Sequence, residues 1–266
     1  MRSAIGAAVL LAASVARTAT AGPADDIIRR PLTLDAGELE AQLTLEAELA
    51  VPLLQPFAIA PDVWFGVTQR LTLGIIHSDP SLDRIQATAS FCVRQSALEC
   101  DRFYEGSGID ARYLVFDNGE FSIAPQVRAY VHGFDPFKPA ATFGAMLKYR
   151  HHQFAIESDP YLRFSLANAQ NGNRGGIVIP LYLEWQPAMR WLVFGQTGWD
   201  ANYAVISDGW HVPFGLGVTW RATCQLDVGA EFGFTTALGP QNDSKQRVAF
   251  ITVAWRSRAD AAGSGR

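Results

Sequence analysis

The chain reads as an all-β protein, a transmembrane antiparallel up-and-down β-barrel of about twelve strands. Three observations predict this. Short runs of alternating polarity, rich in β-branched and aromatic residues, repeat from Gly37 onward with no helical period. Tight and longer connections alternate between those runs. The aromatic side chains gather at strand ends on one parity. Successive strand side chains point to opposite faces of a sheet, so parity assigns each residue to a face.

Residues 1–21 come first. Met1 and Arg2 give a positive start, Ala4 to Val15 is small and apolar, and Ala19-Thr20-Ala21 has small residues where a signal peptidase reads. We read a secretory signal peptide cut before Gly22. The apolar run is too short to anchor in a bilayer. Its removal takes two arginines and no acid, leaving 20 basic against 26 acidic residues, a mature charge of −6. Residues 22–36 follow as a periplasmic N-terminal segment, 37–256 as the barrel, and 257–266 as a polar tail. No later stretch is apolar for about 18 residues, the length a transmembrane helix needs. The expected location is therefore the outer membrane of a Gram-negative-type bacterium. The alternative is a secreted soluble β-sandwich protein or hydrolase.

Composition narrows the function. Charged residues make up 18% of the chain and apolar ones 48%, which excludes wholesale disorder. Three lysines and a pI near 5.7 disfavour a nucleic-acid binder, which needs clustered positive charge.

Twelve segments are expected, at about 37–49, 57–67, 71–78, 109–116, 121–134, 141–150, 154–166, 176–186, 191–203, 210–221, 224–236 and 247–256. The first shows the pattern plainly: Leu39, Ala41, Leu43, Leu45, Ala47 and Leu49 share one face, and Glu38, Glu40, Gln42, Thr44, Glu46 and Glu48 the other. Tight connections fall at Thr68–Arg70, Asp117–Glu120, His151–Gln153, Pro187–Arg190 and Ala222–Thr223. Longer ones fall near 50–56, 79–108, 135–140, 167–175, 204–209 and 237–246. All tight turns then lie at one end, with both termini beside them, as in an even-stranded outer-membrane barrel. With the apolar parity outside, Phe65, Trp185, Trp191, Trp220 and Trp255 form an aromatic belt at the tight-turn end, where amphipathic rings meet the membrane interface. Five prolines, Pro61, Pro125, Pro160, Pro180 and Pro213, fall inside expected strands, and each requires a bulge or a break in the ladder.

The stretch Trp64-Phe65-Gly66-Val67-Thr68-Gln69-Arg70-Leu71-Thr72-Leu73-Gly74 resembles the hairpin signature of a broad group of bacterial outer-membrane barrels. That group includes the transporter family named for the meta pathway of phenol degradation. A weaker echo occurs at Gly217-Val218-Thr219-Trp220-Arg221 and Leu226-Asp227-Val228-Gly229. The resemblance covers about a dozen residues and implies a passive, porin-like transport role without catalytic residues. The chain departs from barrels that end on an aromatic residue, because Trp255 is followed by Arg256 and the polar tail.

The polar parity gives the pore-lining candidates. Glu38, Glu40, Glu46 and Glu48 make an acidic wall, and Arg128, Lys148, Arg150 and Arg163 a basic one across the bore. Such a field would discriminate solutes by charge. The competing expectation is that these charges pair and fill the interior, making a non-conducting barrel whose loops bind a partner or envelope component. Expected partners are outer-membrane lipid, the barrel-assembly machinery and small solutes. Cys92 and Cys100 share the long loop and suit a disulfide in an oxidising compartment, while Cys224 stands apart.

No enzyme motif emerges. A serine hydrolase needs Ser, a His base and an orienting group, yet no His-x-Ser occurs beside His77, His132, His151, His152 or His211. No cofactor or metal site is expected.

Overall fold

Alternation becomes structure because each strand can bury its polar parity in a bore and present its apolar parity outward. The computed structural model describes residues 27–49, 53–78, 90–94, 102–240 and 242–257. Residues 1–26, including the expected signal peptide, and the tail beyond Ser257 lie outside the described residues.

The strands are β1 (Leu39–Glu48), β2 (Phe57–Gly66), β3 (Leu71–Ile76), β4 (Phe91–Arg94), β5 (Gly106–Tyr113), β6 (Phe116–Asp117), β7 (Phe121–Phe134), β8 (Phe137–His151), β9 (Phe154–Ser158), β10 (Tyr161–Ser165), β11 (Gly176–Ala188), β12 (Trp191–Asn202), β13 (Trp210–Arg221), β14 (Leu226–Leu238) and β15 (Asp243–Arg256). Every pairing is antiparallel, and β15 returns to pair with β1, Glu40 opposite Arg256. The sheet closes as a barrel of twelve staves, three of them built from two pieces: β3 with β4, β5 with β6, and β9 with β10. All twelve expected segments are present.

The five prolines expected inside strands all lie at irregularities of the ladder. Pro61 lies opposite the gap between β3 and β4, since β2 pairs with β3 up to Val63 and with β4 from Ile59. Pro125 lies where β7 changes partner from β5 to β6. Pro160 separates β9 from β10, and Pro180 of β11 faces the same gap. Pro213 sits at the register shift between Val212 and Phe214. A proline cannot donate to the ladder, and each is placed where the ladder is already interrupted.

Two expectations about loops are corrected. The span 79–108 is not one loop: Phe91–Arg94 rejoins the wall, with Ser90 N donating to the His77 carbonyl at 2.9 Å and Cys92 N to that of Phe103 at 2.9 Å. At the break, the Asp62 carboxylate accepts His77 N at 2.5 Å, Ser78 N at 3.0 Å and the Ser78 hydroxyl at 2.6 Å, replacing lost ladder bonds. The connection after β7 is also short, only Asp135 and Pro136.

Faces sort as parity requires. Leu43, Val63, Leu73, Ile75, Ile109, Val127, Phe143, Ile156, Leu183, Leu216, Phe232 and Ile251 are exposed on the outside. Asp62, Thr72, Asp110, Gln126, Lys148, Arg150, Gln196 and Asp227 are buried inside. A water-soluble fold would reverse this arrangement. Phe65, Trp185, Trp191 and Trp220 stand exposed on the outer face at the tight-turn end, and Trp255 is half-buried there. Trp191 stacks on Trp220 at 6.1 Å, and Phe154 on Trp185 at 6.3 Å.

Candidate functional site: a charged bore

The polar parity of the staves, the site, encloses a cavity of about 350 Å³. Eight carboxylates line it (Glu40, Asp62, Asp110, Glu157, Asp159, Glu184, Asp227 and Glu231) together with five cations (Arg30, Arg112, Arg128, Lys148 and Arg256). Trp64, Tyr182, Phe194 and Phe250 complete its wall.

Asp110 on β5 organises one side. Its Oδ2 accepts Trp64 Nε1–H at 2.9 Å and Arg112 Nε at 2.6 Å; its Oδ1 accepts Gln126 Nε2 at 2.7 Å and lies 3.4 Å from Arg128 Nε. The Arg112 guanidinium sits 5.0 Å over the Trp64 ring, and that of Arg128 5.6 Å over Tyr161. Gly74 makes room for the indole: a β-carbon there would overlap it. A carboxylate with this many donors satisfies its burial.

Lys148 bridges Glu157 at 3.1 Å and Glu184 at 3.6 Å. Arg256 holds Glu40 at 2.5 Å across the β1–β15 seam. Arg150 donates to Asp117 at 3.1 Å, Ser122 at 2.5 Å and the Arg29 carbonyl at 2.9 Å.

The sequence-predicted lining therefore divides. Glu40, Arg128 and Lys148 line the central cavity. Arg150 points inward but is fixed near the tight-turn mouth. Arg163 reaches Asn173 Oδ1 at 3.5 Å on the loop side. Glu46 and Glu48 lie on the loop-side half of β1. Glu38 precedes the strand; its Oε2 accepts Asp35 N at 3.1 Å, and partial burial raises its carboxyl above the ordinary value against the pull of that bond. The basic side, Arg112, Arg128 and Lys148 on β5, β7 and β8, is interleaved with Asp110, Asp159 and Glu157. The two opposed walls read from the sequence are thus a mosaic of local pairs with acids in surplus.

Sequence reasoning missed the chain just before β1. Residues 27–36, expected outside the wall, run inside the tight-turn mouth. Ile27 and Ile28 pack with Ala155 and Leu192, Leu32 with Ala124 and Met146, and Leu34 with Trp64, Ile76 and Tyr130. Ile28 N donates to Gln186 Oε1 at 2.9 Å and Leu34 N to Thr72 Oγ1 at 2.8 Å. Arg30 crosses to pair with Asp227, which also faces Arg221 at 3.6 Å. The only signal in the sequence was apolar content without a period, Ile27-Ile28 and Leu32-x-Leu34, in a stretch placed outside the barrel.

No hydrolase site forms at His77 and Ser78. The His77 Nδ1 meets the Pro61 carbonyl at 2.6 Å, while the Ser78 hydroxyl is engaged by Asp62. Among the described residues no group of His, Cys, Asp or Glu is arranged to hold a metal. Cys92 is buried on β4; Cys100 lies outside the described residues, and Cys224 is a free thiol.

No protein-family model matches the chain, and no curated protein matches it. Solved structures do. The KdgM porin, in complex with disordered oligogalacturonate, matches at a TM-score of 0.52 and 8% identity, over 81% of this chain and 98% of that one. The chain shares the closed antiparallel β-barrel architecture of this porin. The NanC porin agrees, at a TM-score of 0.52 and 7% identity over 82% of this chain and 98% of that one. At such identities the likeness establishes the barrel architecture and nothing about the solute.

Proposed function

We propose that this chain is an outer-membrane barrel for the passive passage of small solutes, with cations favoured over anions. The observation that carries this reading is the bore itself, polar and charged inside a closed wall whose outer face is apolar. Such a face is stable only against lipid, and inward residues then set selectivity. Eight carboxylates against five cations line the cavity, an acidic surplus that Arg221, paired with Asp227 from behind the lining, reduces without removing. The tight-turn end, carrying both strand termini, is the periplasmic end, and the aromatic rings there form the interface belt. Signal peptide cleavage before Gly22 and assembly by the barrel machinery belong to the same reading. So does a Cys92–Cys100 disulfide, and the hairpin 64–74 resembling the meta-pathway transporter family supports the same general role.

The KdgM porin was solved with oligogalacturonate; the carboxylate surplus here argues for a different, neutral or cationic solute. The second reading, a filled and non-conducting barrel, draws on the density of internal ion pairs. Reversal potentials across a KCl gradient test the first reading. Glu40→Gln with Glu231→Gln should shift selectivity toward anions. An anion-selective parent chain would contradict it.

A further inference from the structure

Inside the tight-turn mouth the chain before β1 is built as a strap. From Gly37, whose N–H donates to the Gly66 carbonyl at 2.7 Å, it runs back along the inner wall past β2 and β3, then β7 and β8, to β9, β11 and β12. The wall is shaped for it. A β-carbon at Gly66 would overlap the Asp35 carbonyl oxygen, so the strand leaves its side-chain volume to the strap. Gln186 and Thr72, both inward-facing and buried, accept strap amides, and Gln186 Nε2 also donates to the Met189 carbonyl at 3.2 Å. Arg150 takes the Arg29 carbonyl at 2.9 Å. Arg30 then leaves the strap for the far side and pairs with Asp227 on β14, so the ion pair bars the part of the mouth the backbone does not cover. Ile27, Arg30, Pro31 and Leu32 form the floor of the central cavity.

We infer that residues 27–36 are the constriction of the bore, and that the Arg30–Asp227 pair sets its narrowest passage. The inference rests on the pore reading above. A twelve-stranded barrel has more room than its side chains fill and less than a wide porin, so a ten-residue inner segment decides what passes. The strap is anchored by side chains that would otherwise face water. It therefore acts as a fixed size filter, with a cation-carboxylate gate at its open edge.

The test is single-channel conductance of the refolded chain in planar bilayers, compared with a variant lacking residues 27–36 and with Arg30→Ala, each first checked for heat-modifiable migration. The deletion should raise conductance by at least about twofold and Arg30→Ala should raise it less, since a wider narrowest section passes more ions. If the parent chain is silent and the deletion conducts, residues 27–36 close the bore completely, and both the passage at Arg30–Asp227 and the native pore are overturned. A folded deletion with the parent's conductance overturns the strap and leaves the pore intact. Silence in both overturns the strap and the pore together. Should the deletion not refold, Ile28→Ser with Leu32→Ser takes its place, with the same rise expected and the same unchanged conductance counting against it.

Discussion

Asp110 shows how a lumen residue can be structural and functional at once. Two guanidiniums, an indole N–H and a side-chain amide converge on its carboxylate, and it is 2% exposed. Asp110→Ala should destabilise the barrel by about 3–5 kcal/mol, because Arg112 and Arg128 would keep buried charges with their main partner gone. Urea unfolding in detergent, followed by tryptophan fluorescence, would measure it; a loss below about 1 kcal/mol, the worth of an exposed pair, would mean the cluster is solvated. Parity made the inward direction of Arg128 and Lys148 legible in the sequence, whereas Asp110 and Arg112 on the short β5 were not singled out. The pairing was not legible, because partners such as Arg128 and Asp159 come from staves whose register only the closed barrel defines.

Strands and turns were the most legible level. β1, with leucine and alanine on one parity and glutamate on the other, could hardly be anything but a half-polar strand. β4 was hidden because Phe91-Cys92-Val93-Arg94 is short and does not alternate in polarity. The strap was hidden for another reason: Ile27 to Ala36 has no strand period, and its order comes from wall residues as distant as Gln186 and Leu192. The outer face of β13 provides an element-scale test. Leu216 lies midway along that strand and is 57% exposed. Leu216→Arg should cost about 2–4 kcal/mol if that face meets the bilayer midplane. In a water-soluble sandwich the same change at an exposed site would stay within about 0.5 kcal/mol. Gly66→Ala tests the wall–strap fit from the opposite partner. Its new methyl meets the Asp35 carbonyl, so we expect about 1–3 kcal/mol of overpacking cost by the same unfolding measurement, and less of that cost when residues 27–36 are deleted.

At the scale of the whole molecule, the closed sheet and the bore are two results of one pattern. Closure through β1 and β15 joins the two ends of the sheet, as a lipid environment requires. The same alternation that turns Leu216 and Ile251 outward turns Asp227 and Glu40 inward, so the apolar coat and the acidic cavity cannot be separated. Pro61, Pro125, Pro160 and Pro180 fit this scheme by occupying breaks that divide staves without opening the wall. The central claim is that this wall spans a membrane around a cation-favouring passage. Its most direct test is the single-channel current of the refolded chain in a planar bilayer under a KCl gradient. Discrete open steps are expected, with a reversal potential of the sign for cation preference. A chain that needs no detergent, or a heat-modifiable barrel that stays silent, would contradict the claim.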